Sequence, residues 1–376
     1  MKLKKTLKTT LLVGLFIVIT ACVACAQKAI TTGELSIYED HFGRIVLGIT
    51  RNSFEKLGFA TGDSVDVRFS NGHEIKDIPY HTGYYVRFNK PVLVAYNGEA
   101  IIAFAFKCGE KAWEAFGMSE KDTGCVTLNK TGKYKARELL LHQRYINNRS
   151  NFASDEIFAN YRVMSGGKLK KDKFYRSCSP CDNKYNRAKY ADELMKRDNI
   201  NFVFNLADNA EQYNKHVTKS DFKSDYYKSL HDKGRVILTG LGPNFNSNES
   251  KKIIADALKN MQNIDGKILF HCLEGKDRTG FVCALVEALA GANYDEIEAD
   301  YMKSYDNYYH INKKDTPDKY NAIIEANFLD IMETISGEKD EGKMKKANLK
   351  AGAINYLKCC GLPDSTIEKI IPSCTE

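Results

Sequence analysis

The feature that most restricts how this chain folds is a run of about two dozen residues some three quarters of the way along it. Lys267-Ile268-Leu269-Phe270-His271 has the length and continuous apolarity of a fully buried strand, and Gly280 to Ala290 reads as an apolar helix. Between them lies the short polar stretch Cys272-Leu273-Glu274-Gly275-Lys276-Asp277-Arg278-Thr279. A strand buried on both faces, a loop and then a buried helix is how a parallel α/β sheet presents a loop at its carboxyl edge. The neighbouring segments repeat the theme. Ala188 to Arg197 has helical periodicity, Asn201 to Leu206 is a strand bounded by polar residues, and Asn246-Ser247-Asn248 caps a helix from about Glu249 to Met261. Upstream, Asn160 to Met164 and Lys173 to Ser177 flank Gly166-Gly167 as a hairpin.

The texture changes near residues 130 to 150. Before that point alternation dominates: Val65, Val67 and Phe69 against Asp66 and Arg68, with Asn71-Gly72 as a turn. Val92 to Tyr96, Asn97-Gly98 and Ile101 to Phe106 read as a second hairpin, since Asn-Gly accepts the two positive φ values of a type I′ turn. The expected organisation is a leader over 1–26, a small β-rich domain over 30–135 and an α/β domain over 137–376, with a mainly parallel central sheet flanked by helices.

The leader carries Lys2, Lys4, Lys5 and Lys8, an apolar run from Leu11 to Ile19 and then small residues. Its apolar core is too short for a spanning helix, so it reads as a secretory signal peptide. Two processing sites fit. Ile19-Thr20-Ala21-Cys22 resembles a bacterial lipobox, which makes Cys22 a lipidated N-terminus; Ala24-Cys25-Ala26 suits ordinary cleavage before Gln27. The first is favoured, which makes the protein extracytoplasmic, a cell-surface lipoprotein or else secreted. Removing the four leader lysines from a net charge of +7 leaves +3, too little and too dispersed for a nucleic-acid partner. A membrane enters only through the N-terminal lipid.

Eleven cysteines in an exported chain invite a disulfide reading, but with Cys22 lipidated and Cys272 used in chemistry the remainder is odd. Cys178-Ser-Pro-Cys181 has no second pair at ligand spacing, and no metal or other cofactor is expected.

The decisive motif is His271-Cys272-Leu273-Glu274-Gly275-Lys276-Asp277-Arg278-Thr279-Gly280. A Cys followed after five residues by Arg and Thr resembles the phosphate-binding signature of the protein tyrosine phosphatase superfamily. Five intervening residues can curl so that their backbone N–H groups converge on an anion at a helix N-terminus, with Arg278 gripping two phosphate oxygens. The same positive field favours a thiolate at Cys272, and Gly275 lets the backbone turn. Together with Phe158-Ala159-Asn160-Tyr161-Arg162, Gly167-Lys168-Leu169, Phe174-Tyr175-Arg176-Ser177, Asn205-Leu206 and Asp300-Tyr301-Met302-Lys303-Ser304, the loop resembles those of bacterial tyrosine-protein phosphatases of the secreted mycobacterial type, from about residue 155 to the C-terminal segment.

That resemblance implies a Cys-dependent phosphatase acting on phosphotyrosine, and in several relatives on phosphoserine, phosphothreonine or phosphoinositides. Its partners are then phosphorylated proteins or phosphoinositide lipids as substrates. Cys272 becomes the nucleophile, Arg278 and the loop amides the transition-state grip, and Thr279 a donor to the departing thiolate. His271 orders the loop, while Leu273, Glu274, Gly275, Lys276 and Gly280 complete the phosphate site. Two carboxylates compete as general acid: Asp277 in the loop, and Asp208, because Asn205-Leu206-Ala207 stands where the family has Asp-Leu-Arg. Lys276 reads either as a cation for substrates with several phosphates or as an offset to Glu274 and Asp277. The rival class is a phosphatase-like module that binds phosphorylated ligands without turnover.

Overall fold

The computed structural model describes residues 28–37, 43–96 and 100–376. The leader with Cys22 and Gln27, and the Asn97-Gly98 turn, lie outside the described residues. The chain divides into two compact units: one runs to Tyr84 and resumes over Pro91–Glu138, the other comprises Tyr85–Lys90 and Leu139–Glu376.

In the first unit eight strands, β1 (Ala29–Glu34), β2 (Ser36–Ile37), β3 (Ile45–Thr50), β4 (Ser64–Phe69), β5 (Glu74–His81), β6 (Pro91–Val94), β7 (Ile101–Phe106) and β8 (Thr123–Lys130), form one sheet in the order β1-β8-β4-β5-β6-β7-β3-β2. It is mixed, because β5 and β6 pair in parallel while the other neighbours are antiparallel. The alternation in β4 does what period-two patterning dictates: Val65, Val67 and Phe69 are buried in the core with Tyr80, Leu93 and Phe104, while Arg68 is exposed. Gly72 takes φ +95 in the β4–β5 turn, a value that costs glycine nothing.

The second unit holds five strands, β9 (Arg162–Val163), β10 (Phe174–Ser177), β11 (Phe202–Asn205), β12 (Val236–Leu238) and β13 (Ile268–His271), in the order β12-β11-β13-β10-β9. Three pairings are parallel and the short edge strand β9 is antiparallel, so this sheet too is mixed. Strand β13 enters between β10 and β11, and all four of its residues are fully buried. The helices between β10 and β12, Ala188–Arg197 after β10 and Ala210–Val217 and Asp225–Asp232 after β11, bury residues in one core with Leu269 and Val203. Those following β12 and β13, Asn248–Met261 and Asp277–Leu289, bury residues in another with Ile268, Phe270 and Phe204. The crossovers therefore change face where β13 is inserted. Such a switch point opens a crevice at the carboxyl ends of the strands, where the loop after β13 lies.

One expectation is corrected. The helix after β13 begins at Asp277, three residues before Gly280, so Asp277, Arg278 and Thr279 form its first turn. The first-turn N–H groups of a helix have no intrahelical acceptor, and beginning the helix inside the motif turns these donors toward the loop. No helix among the described residues is long and apolar enough to cross a membrane.

Candidate active site

The loop from Cys272 to Lys276 joins the buried end of β13 to the helix Asp277–Leu289. Its sharpest bend is at Gly275, with φ +68, where a Cβ would stand 2.0 Å from the Ser177 carbonyl oxygen. Any side chain would push the loop off β10. Gly280 has a second steric reason: a Cβ there would meet the Tyr301 ring at 2.7 Å.

Cys272 is buried at the start of the loop, 3% exposed. Before it, His271 is enclosed beside the edge of the Tyr227 ring, and its Nδ1 lies 3.1 Å from the Cys272 carbonyl oxygen. A carbonyl only accepts, so Nδ1 carries the hydrogen and donates. Nε2 has no partner, and burial drops the His271 pKa to about 4, which leaves the ring neutral. Arg278 uses one terminal nitrogen, Nη1, to donate to the carbonyls of Ala207 and Leu241, each at 3.3 Å. Its chain is thereby fixed from the loops after β11 and β12, with Nε and Nη2 uncommitted. Thr279 is fully buried, with a hydroxyl that has no hydrogen-bond partner. The Leu273 carbonyl accepts from the Ser179 N–H at 3.0 Å, tying the loop to the segment after β10.

Glu274 and Lys276 face each other across the outside of the loop, 3.1 Å apart. Glu274 also accepts from the hydroxyls of Tyr145 (2.7 Å) and Tyr309 (3.1 Å). Burial opposes its charge, but Lys276 and the two hydroxyls hold the carboxyl below its usual range. Lys276 stands over the rings of Tyr305 and Tyr309 at 4.9 and 5.4 Å and lies 3.7 Å from Asp277. Burial pulls against its charge too, yet these acidic neighbours raise its pKa well above normal.

The two candidate acids have different surroundings. The Asp277 side chain is 60% exposed at the helix start, accepting from the Tyr301 hydroxyl at 3.4 Å. The Asp208 side chain, 8% exposed, takes a hydrogen bond from Asn205 Nδ2 at 2.9 Å and faces His216 Nε2 at 3.4 Å.

Residues 158–375 match the profile described as the tyrosine phosphatase family, more than half of the chain. The chain belongs to that family. The tyrosine phosphatase segment spans β9 to β13, the Cys272 loop and the C-terminal helices in one match.

The triple specificity protein phosphatase PtpB of Mycobacterium tuberculosis (strain ATCC 25618 / H37Rv) is similar at 56% identity over 39 residues, 10% of this chain. That stretch is 14% of PtpB, so the chain spans only a small part of the curated relative it matches. Among solved structures, the core catalytic domain of the PP-IP phosphatase SIW14 from S. cerevisiae, in complex with citrate, aligns at 18% identity with a TM-score of 0.27, covering 52% of this chain and 98% of that one. An uncharacterized conserved protein from Thermotoga maritima aligns at 20% identity and a TM-score of 0.24, covering 29% and 38%.

The structure thus gathers His271 through Gly280 on one strand-to-helix turn and holds Arg278 from the segments carrying Ala207 and Leu241. Asp208 sits on the first of these, one residue from the Arg278 contact. The motif alone does not point to Tyr145 and Tyr309, which hold Glu274 from positions 129 residues before it and 35 after it. Nor does it assign a task to Asn160 and Arg176, although both lie within residues 158–375, which match the tyrosine phosphatase family. The Cys178 and Cys181 thiols are both free and buried; burial pushes Cys178 up to about 12 and raises Cys181 as well. Among the described residues no group of three or more His, Cys, Asp or Glu side chains is arranged to hold a metal.

Proposed function

We propose that this tyrosine phosphatase family member hydrolyses phosphate monoesters, phosphotyrosine foremost, through a cysteinyl-phosphate intermediate. The observation that carries the reading is the placing of Cys272 at the start of a loop bent at Gly275 and of Arg278 in the first turn of the helix which that loop enters. Cys272 attacks as the thiolate, the form that a helix N-terminus and a nearby guanidinium favour in general. The S–P bond forms as the ester P–O bond breaks, and the leaving oxygen takes a proton from Asp277. Water then attacks phosphorus and gives a proton to Asp277; the S–P bond breaks, and the thiolate and inorganic phosphate separate. The loop N–H groups and the uncommitted Nε and Nη2 of Arg278 hold the equatorial oxygens while charge spreads over them.

Asp277 is preferred over Asp208 because it is open to solvent and lightly bonded, whereas Asp208 is enclosed and committed to Asn205 and His216. Thr279, with its unpaired hydroxyl, serves as the donor to the departing thiolate. His271 orders the loop as a neutral donor rather than acting as a base. Lys276 balances Glu274 in this reading, which favours single phosphoryl groups on protein side chains over polyphosphorylated lipids. The kinship with secreted mycobacterial-type enzymes and work outside the cytoplasm, with Cys22 lipidated, complete the proposal.

The test is phosphate release from an aryl phosphate and from phosphotyrosine, phosphoserine and phosphoinositide substrates, by the wild type and Cys272→Ser. The reading requires turnover with phosphotyrosine preferred, and its loss in Cys272→Ser with phosphate affinity retained. Phosphate binding without turnover by the wild type would instead make this a phosphate-binding module.

A further inference from the structure

Each trans peptide points its C=O and its N–H in opposite directions, so a loop that turns its N–H groups onto an anion turns its carbonyls outward. Those carbonyls need donors, and on a buried loop the donors must come from the protein. Here three consecutive carbonyls are met by two side chains from outside the loop. Asn160 Nδ2 donates to the carbonyl of Glu274 at 3.0 Å and to that of Gly275 at 3.3 Å. Arg176 Nη2 donates to the carbonyl of Gly275 at 2.8 Å and reaches, at 3.4 Å, that of Lys276, which also accepts the Gly280 N–H at 2.8 Å as the first bond of the helix.

Both donors are wholly buried and themselves held. Asn160, in left-handed backbone at φ +51 just before β9, accepts at Oδ1 from Arg162 Nη1 (2.6 Å) and Asn307 Nδ2 (3.1 Å). Asp300 receives Arg162 Nε at 2.8 Å and also pairs with Arg176 Nη1. Beside them Glu287 is buried; enclosure and the Asp300 charge raise its carboxyl far above the ordinary range, while the two arginines hold Asp300 ionised. Two guanidinium groups therefore face a single carboxylate under the loop. A buried cation is expensive, and an apolar residue of similar size in its place is often no less stable. Stability alone is thus a poor reason for Arg176 to be there.

We infer that Asn160 and Arg176 are positioning residues of the phosphate loop: they hold the carbonyls of Glu274, Gly275 and Lys276 outward, which turns the N–H groups of Gly275, Lys276 and Asp277 into the ring, and they set a buried positive charge behind it. The inference rests on the phosphatase reading, since it gives those N–H groups an anion to bind. Neither residue touches substrate, and both act through the backbone.

The test uses the full chain with three variants, Asn160→Asp, Arg176→Met and Arg176→Lys, inorganic phosphate as the probe by calorimetry, and kcat/KM on an aryl phosphate. Asn160→Asp keeps the Oδ1 acceptor and tolerates the same φ, but sets an acceptor against the two carbonyls. Phosphate should bind about tenfold more weakly in Asn160→Asp and Arg176→Met, with kcat/KM down by roughly 10- to 100-fold, the range for partners that orient a site from behind. Arg176→Lys should recover part of both. Folded variants that bind phosphate as the wild type does, with only a lower Tm, would overturn the inference. If Arg176→Met does not fold, Asn160→Asp decides. A wild type that binds phosphate without turnover would sink the enzymatic reading and leave the phosphate comparison as the test of positioning. Undiminished turnover in both variants would sink positioning alone.

Discussion

Asn205 donates through Nδ2 to the Asp208 carboxylate at 2.9 Å, while its Oδ1 accepts the backbone N–H groups of Ala207 and Asp208 at 2.9 and 3.0 Å. One amide thus both builds the turn after β11 and engages the acid at its end. That turn presents the Ala207 carbonyl to Arg278. Asn205-Leu206-Ala207, where the sequence resemblance implies Asp-Leu-Arg, has a structural reading: Asn205 is a turn former, and Asp208 is part of the turn.

It follows that Asp277→Asn and Asp208→Asn should differ in kind. Asp277→Asn should slow a substrate with a poor leaving group by roughly 10²-fold or more and barely slow one with a good leaving group, the signature of a lost general acid. Asp208→Asn should change both rates by a similar factor, because it disturbs the turn that holds Arg278. Steady-state kinetics with two aryl phosphates of different leaving-group pKa check this. A leaving-group bias in Asp208→Asn instead would move the acid to Asp208.

For Lys276, the closeness of Glu274 sets the expectation. Lys276→Met strands a buried carboxylate and should cost about 3 kcal/mol of stability, much of it restored in the double variant with Glu274→Gln. The ratio of phosphoinositide to phosphotyrosine activity should stay within about threefold in that double variant, since a cation engaged by a carboxylate and two rings reads substrate weakly. Thermal unfolding and the paired activities measure both. A selective loss of phosphoinositide activity would give Lys276 back to the substrate.

His271 supplies a pH dependence of stability. Its pKa falls from the ordinary 6.5 to about 4 on burial, so the folded state takes up the proton less readily than the unfolded chain. Above pH 6.5 both states are neutral there and the contribution is complete. As the pH falls from 6.5 toward 4, the unfolded chain binds the proton first and up to about 3 kcal/mol is lost. His271→Asn keeps a donor for the Cys272 carbonyl and cannot titrate, so its stability should fall less over that window. Denaturant unfolding at pH 7 and pH 4.5 measures the difference, and equal losses in both proteins would show that His271 is not the group responsible.

The order of strand, loop and helix was legible because apolarity marks what is buried whatever it packs against. The run Ile268 to His271 is buried on both faces, and the helix Ala188–Arg197 has the bounds its periodicity gives. The start of the helix at Asp277 was not legible, since Asp277, Arg278 and Thr279 are polar and carry no periodic signal. The motif places Cys272 and Arg278 together by local spacing alone. What holds them arrives from far along the chain: Asn160 from 115 residues away from Gly275, Tyr145 from 129 away from Glu274. The choice of Lys276 between Glu274 and a ligand depends on burial, which spacing does not encode.

The central claim is a covalent bond between Cys272 and phosphorus. The most direct measurement is rapid acid quench of the enzyme turning over an aryl phosphate, followed by peptide mass spectrometry to locate the phosphoryl group. The account predicts one phosphoryl group on the Cys272 peptide of the wild type, more of it in Asp277→Asn because that carboxylate takes the proton of the attacking water, and none in Cys272→Ser. Turnover with no phosphoryl group on Cys272 at any quench time, or one carried by another residue, would contradict it.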